Sequence, residues 1–169
     1  DVKAKAKLHA ELARERMAEA RVLAEEGNAA EAEQRIDEAR TRAQAAQEIV
    51  SEESDKGIGE DVREIAKTTE DVLQKSILVL QLVREKVPES AQAKIDAVIE
   101  KMIENRAEIR ARIDARSGAT AEDIQDKIEE EREEIKERVE QRFESLYDKL
   151  LDRAEGTVED LQQELQEAQ

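Results

Sequence analysis

The sequence predicts an all-α protein: an antiparallel four-helix core, then a long amphipathic C-terminal helix and a short terminal helix. Three observations carry this. Apolar residues recur at spacings of three and four along most of the chain, the period of a helix face. Ala, Glu, Arg, Gln and Lys, all good helix formers, dominate the composition. Five Gly and one Pro in 169 residues are too few for the many turns of an all-β fold. High charge alone would suit disorder, but disordered chains lack that periodicity.

The first helix should run to about Glu26, with Leu12, Ala13, Met17, Ala20, Leu23 and Ala24 on one small-residue face. Gly27 ends it, because a helix terminus often needs left-handed backbone. The second should run from about Ala29 to Glu53, with Ala32, Ile36, Ala39, Ala43, Ala46 and Val50 along its stripe. The short Gly27-Asn28 link forces an antiparallel hairpin, and alanine faces let two axes approach closely.

Gly57 and Gly59 separate the second helix from a third, expected from about Asp61 to Lys86 on Val62, Ile65, Thr69, Val72, Ser76, Leu80, Val83 and Val87. Residues 77–83 are apolar nearly all round, which predicts the most buried segment of the chain. Val87-Pro88-Glu89 should turn into a fourth helix ending near Arg116, with Ile95, Val98, Ile99, Met102, Ile103, Ile109 and Ile113 on one face and Gly118 after it. Two such hairpins close a four-helix core, giving one domain over 1–118 and a C-terminal unit over 119–169.

Thr120 and Asp123 make a capping-box-like start for the fifth helix. Its stripe of Ile124, Ile128, Ile135, Val139, Phe143, Leu146, Leu150 and Leu151 continues to about Glu155, some 54 Å at 1.5 Å per residue. Gly156 should interrupt it, and Thr157 with Asp160 should cap a short sixth helix through Leu161 and Leu165. A helix this long overhangs a compact bundle and pairs with another helix, in its own chain or a second one.

The stretch AKLHAELARERMAEARVLAEEGNAAEAEQRIDEARTRAQAA carries a Leu-Ala-x-x-Arg-hydrophobic-x-Glu-Ala run at Leu12, Ala13, Arg16, Met17, Glu19 and Ala20. It is followed by the Glu26-Gly27-Asn28 turn. Farther on, VLQLVREKVPESAQAKIDAVIEKM places a Val87-Pro88-Glu89 turn between two helices. Over roughly residues 4–110 the chain resembles an uncharacterised helical-hairpin domain family of prokaryotic secreted and membrane-anchored proteins. That resemblance implies an extracytoplasmic helical domain without assigned chemistry. From Thr120 onward it has no counterpart. The first hairpin lacks the aromatic positions and the roughly 34-residue period of tetratricopeptide repeats.

Charge narrows the partners. Lys and Arg number 28 against 44 Asp and Glu, a net −16, and −11 of it lies from Thr120 onward, where 18 acids face 7 bases. Such a chain repels nucleic acid and anionic lipid. The longest uninterrupted apolar run, Ile77-Leu78-Val79-Leu80, is far short of the roughly 20 residues a membrane span needs. The sequence starts at Asp1 rather than Met, so a processed protein or an excerpt is expected, with room for a leader or anchor upstream.

Chemistry is sparse. With no Cys, disulfides, Cys-ligated zinc, iron–sulfur clusters and thiol catalysis are excluded. His9, the single His, has no nucleophile near it in sequence and reads as a surface or half-packed helical residue. One His cannot build a di-iron bundle or an HExxH zinc site. Gly57-Ile58-Gly59 leads directly into Glu60 and Asp61, the wrong charge for a phosphate loop, so Asp61 reads as a cap or first-turn acid. Asp55 and Glu64 lack the remaining ligands of a calcium loop. The acidic run 129–134 reads as a solvated face with Glu134–Arg138 as an i,i+4 pair. No catalytic residue, cofactor or metal ligand is therefore assigned.

The candidate functional residues are Ile135, Val139, Phe143, Leu146, Tyr147, Leu150 and Leu151, one stripe that holds both aromatics of the chain. They serve either as an interface or as packing of the fifth helix on its own bundle. The expected function is a non-enzymatic extracytoplasmic scaffold or interaction domain, bound to a protein partner or to copies of itself through the C-terminal helix. Loose divalent-cation binding by acidic helix faces is the alternative.

Overall fold

The computed structural model describes residues 1–115 and 119–167, and over these the chain is all-α. The helices are α1 (Val2–Glu25), α2 (Ala29–Lys56), α3 (Glu60–Arg84), α4 (Glu89–Asp114) and α5 (Ala121–Glu167). Arg116 and Gly118, expected at the end of the fourth helix, lie outside the described residues.

α1 and α2 form the first hairpin. Gly27 takes φ +81°, and the Gly27 and Asn28 amides donate to the Ala24 and Leu23 carbonyls at 3.1 and 2.8 Å, so the last carbonyls of α1 are satisfied. The buried row of α1 is Ala6, Ala10, Ala13, Met17, Ala20 and Ala24; that of α2 is Ala32, Ile36, Ala39, Ala43, Ala46 and Val50. Both rows step 4-3-4-3-4. One antiparallel register therefore brings them into step from end to end. Outside the seam, Arg16 pairs with Glu38 and Arg35 with Glu19, each at 3.1 Å.

The helices form a ring in the order α1, α2, α4, α3, with α5 laid over the α3–α4 edge. Leu73, Ile77, Leu80 and Val83 of α3 meet Ile95, Met102, Ile103 and Ile109 of α4 in one continuous core. At the α1 N-terminus, Lys3 and Lys7 both reach Glu64 of α3 at 2.5 Å.

Burial differs from expectation in one place. Residues 76–84 of α3 contain no exposed position, but over 77–83 three of seven residues are buried, whereas over 105–111 of α4 five of seven are. The cause is position: α4 packs against α2, α3 and α5, so even Asn105 and Arg106 are enclosed.

The expected short sixth helix is absent as a separate element, since α5 runs unbroken through Gly156. The Thr157 hydroxyl donates to the Arg153 carbonyl at 2.9 Å, a bond made inside a continuing helix rather than at a start. Thr120 and Asp123 do form the reciprocal box: the Thr120 amide donates to Asp123 at 2.8 Å, and the Asp123 amide donates to the Thr120 hydroxyl at 3.1 Å. These bonds from Thr120 hold the Asp123 carboxyl below its ordinary pKa. At 47 residues, α5 is about 70 Å long, roughly twice the length of α1.

Candidate functional site

α5 divides into a docked half and a free half. In the docked half, Ile135 and Val139 are buried among α3 and α4, and Ile128 packs half-buried against the same core. The sequence stripe is thus split. Ile135 and Val139 belong to the intramolecular core and are not available to another chain. Phe143 and Leu146 are half-buried, while Tyr147, Leu150 and Leu151 are 43, 40 and 44 % exposed.

Charge fixes the docked half. Glu70 of α3 accepts from Arg106 at 3.2 Å and also from Arg110, both on α4. Arg110 reaches on to Glu131 of α5 at 3.5 Å, and Arg106 donates to the Gln74 side chain at 2.8 Å. Two arginines and two glutamates thus link three helices, and Lys127 of α5 adds a further cation on Glu131 at 3.6 Å. Burial, aided by the neighbouring Arg110, pushes the Arg106 guanidinium below its ordinary pKa. Burial acts on Arg110 in the same direction, but Glu70 and Glu131 outweigh it and hold Arg110 above the ordinary value. Nearer the middle of α5, Arg132 and Lys136 both pair with Glu100 of α4, at 3.0 and 3.3 Å. Burial would raise the Glu100 pKa, and these two cations reverse that and lower it.

The free half begins where the bundle ends. Phe143 and Tyr147 lie with ring centroids 6.0 Å apart. Phe143 lines a cleft with Gln81 and Ile99. Tyr147, Leu150 and Leu151 form one wall of an open groove of about 450 Å³, whose other walls are Leu82 and Val83 of α3 and Arg21 and Glu25 of α1. Those are the last turns of α1 and α3. Residues 152–166 are all exposed, and the helix from 152 to its end reaches about 24 Å past the bundle.

The free half is apolar on one side, with Val158, Leu161 and Leu165 exposed at 52, 55 and 67 %. Sequence reasoning placed these in a separate helix and so left them out of the site. A signal for them exists: Ile128, Val139, Leu150 and Leu161 recur every 11 residues, as do Ile124, Ile135 and Leu146. Eleven residues make three helical turns to within about 20°, so the face that docks in the first half is the face that lies bare in the second.

The remaining candidates resolve into ion pairs and packing. Asp55 pairs with Arg112 at 2.9 Å, Asp61 with Lys3 at 2.9 Å, and Glu134 with Arg138. His9 is half-buried, and burial, with Arg42 and Lys5 nearby, keeps its pKa below the ordinary value. Among the described residues, no group of three or more His, Cys, Asp or Glu is placed to hold a metal ion, and no helix is long and apolar enough to cross a membrane.

No curated protein and no solved structure matches the chain. One family model does, over residues 1–90: α1, α2, α3 and the Val87-Pro88-Glu89 turn. The match stops short of the resemblance drawn to residue 110, but it spans more than half the chain, and the protein belongs to that family, described as Domain of unknown function (DUF5667).

Proposed function

We propose that the protein is a non-enzymatic helical scaffold that works outside the cytoplasm and binds another helix through the distal half of α5. One observation carries the reading: Tyr147, Leu150, Leu151, Val158, Leu161 and Leu165 form an exposed apolar row on a helix whose other half is fixed to a bundle. A row of this kind on a solvent-exposed helix is costly in water unless a second helix covers it. The displaced pKa values also favour binding over catalysis. They belong chiefly to interhelical ion-pair partners such as Glu64, Glu100, Arg106 and Arg110, not to acids converging on a cavity. The extracytoplasmic setting rests on the sequence resemblance alone. No arrangement of the described carboxylates advances the cation-binding alternative.

The test is site-specific photo-crosslinking of the full chain in its own cells. A photoreactive residue at Leu161 should give discrete adducts, and one at Glu159, about 160° away around the helix, should give none. The reading fails if Leu161 yields no adduct.

A further inference from the structure

We infer that the occupant of the bare α5 face is a second copy of this chain, running antiparallel, with the tip of each α5 seated in the groove at the top of the other bundle. The inference rests on the proposed function and adds the partner and its orientation.

The first support is the spacing of the row. Tyr147, Leu150, Ala154, Val158, Leu161 and Leu165 step 3-4-4-3-4. Two antiparallel copies centred between Thr157 and Val158 set Leu150 opposite Leu165 and Ala154 opposite Leu161, twice over by symmetry. The chain already pairs two rows in this way along the α1–α2 seam, with ion pairs along its flank.

The second support is charge. Beyond residue 153, α5 carries Glu155, Glu159, Asp160, Glu164 and Glu167 and no base. Its last bases, Arg142, Lys149 and Arg153, all fall on one flank of the row, and Asp160 and Glu164 fall on the same flank farther out. Antiparallel helices bring like flanks together. Arg153 of one copy then meets Asp160 of the other and Lys149 meets Glu164, while on the other flank Glu155 nears Glu159, so opposite charges meet on one flank and acids on the other. Among the described residues, neither Lys149 nor Arg153 has an ion-pair partner within its own chain. A parallel pair in register would instead set Glu155, Glu159, Asp160 and Glu164 each against its own copy, so that beyond residue 153 acids meet acids on both flanks, and like charges so placed repel.

The third support is length. With Leu165 opposite Leu150, the end of the second copy reaches the groove walled by Leu82 and Val83. The two bundles then stand about 22 Å apart, the span from residue 150 to residue 165.

The experiment uses the full chain, whose lack of cysteine makes single Cys substitutions clean reporters. Light scattering after gel filtration should give twice 19.2 kDa at micromolar concentration, and Leu161→Asp, on an exposed position, should leave a folded monomer. Lys149→Glu with Arg153→Glu should weaken the dimer at least tenfold, and adding Asp160→Lys and Glu164→Lys to the same chain should restore it. Mixed Ala154→Cys and Leu161→Cys proteins should oxidise to the mixed disulfide in preference to either like pair. A preference for like pairs means a parallel dimer and overturns the inference. So does a monomer at every concentration. If the chain is monomeric but Leu161 still captures another protein in cells, the scaffold reading stands and the second copy is wrong; if Leu161 captures nothing, both fall.

Discussion

Arg110 of α4 and Glu131 of α5 meet at 3.5 Å with side chains only 21 and 11 % exposed, so the docking of α5 on its bundle carries a charge pair in its centre. Arg110 also shares Glu70 with Arg106. Removing one partner of an enclosed network leaves the opposite charge without compensation. Glu70→Gln, which takes from enclosed Arg106 its only carboxylate among the described residues and leaves Arg110 with Glu131, should cost about 3 kcal/mol, whereas Glu131→Gln, which leaves Arg110 its bond to Glu70, should cost about 1 kcal/mol. Urea unfolding followed by circular dichroism reads both; equal losses would mean Glu70 is not the hub.

The two halves of α5 should respond differently to truncation of a side chain. Ile135 is fully enclosed, so Ile135→Ala should lower the unfolding free energy by about 2–4 kcal/mol. Leu161→Ala, measured with Lys149→Glu and Arg153→Glu at a concentration low enough for that chain to be monomeric by light scattering, should change it by less than about 0.5 kcal/mol. A large loss at Leu161 in that monomer would place the tip against its own bundle.

Glu64 ties α1 to α3, and hydrogen bonds from Lys3 and then Lys7 lower its carboxyl from the ordinary 4.5 to about 2. The folded form therefore releases this proton more readily than the unfolded chain. The contribution of the contact is complete above pH 4.5 and disappears as the pH falls towards 2. The melting temperature of the parent protein should exceed that of Glu64→Gln at about pH 6, and the gap should close between pH 4.5 and 2. A gap independent of pH would mean that the carboxylate charge is not what matters.

Gly156 sits inside α5 with nothing within 4 Å of the position a Cβ would take. Gly156→Ala should then stabilise the distal helix by about 0.5–1 kcal/mol, through backbone freedom lost in the unfolded chain rather than through any new contact. Amide exchange over 152–165 should slow by roughly twofold to fivefold, the rate equivalent of that energy. Unchanged exchange would show that the helix is already held at that point by something else.

Local signals were legible in the sequence and relational ones were not. The Gly27 turn, the alanine seams and the Thr120–Asp123 box depend on residues a few positions apart, and the structure contains all three. Thr157 and Asp160 show the same pattern as Thr120 and Asp123, yet they lie inside a helix, because a threonine hydroxyl can equally satisfy a carbonyl four residues back. Arg106 looks like a surface residue until α3 and α5 are placed on either side of it, with Glu70 supplying its counter-charge. The stripe of α5 could not be divided by eye, since Val139 and Leu150 are chemically alike; only the end of the bundle separates the residue that is covered from the one that is not.

The family match ends at residue 90, two residues past Pro88, but the structure does not end its core there. α4 packs on α2 and α3, and its Ile95, Met102, Ile103 and Ile109 share one core with Leu80 and Val83. The stretch that the family model covers is therefore shorter than the stretch that packs into one core. The turn at Val87-Pro88-Glu89 thus joins a matched and an unmatched part of one core, and residues 1–90 alone would leave the α4-facing side of α3 open to water.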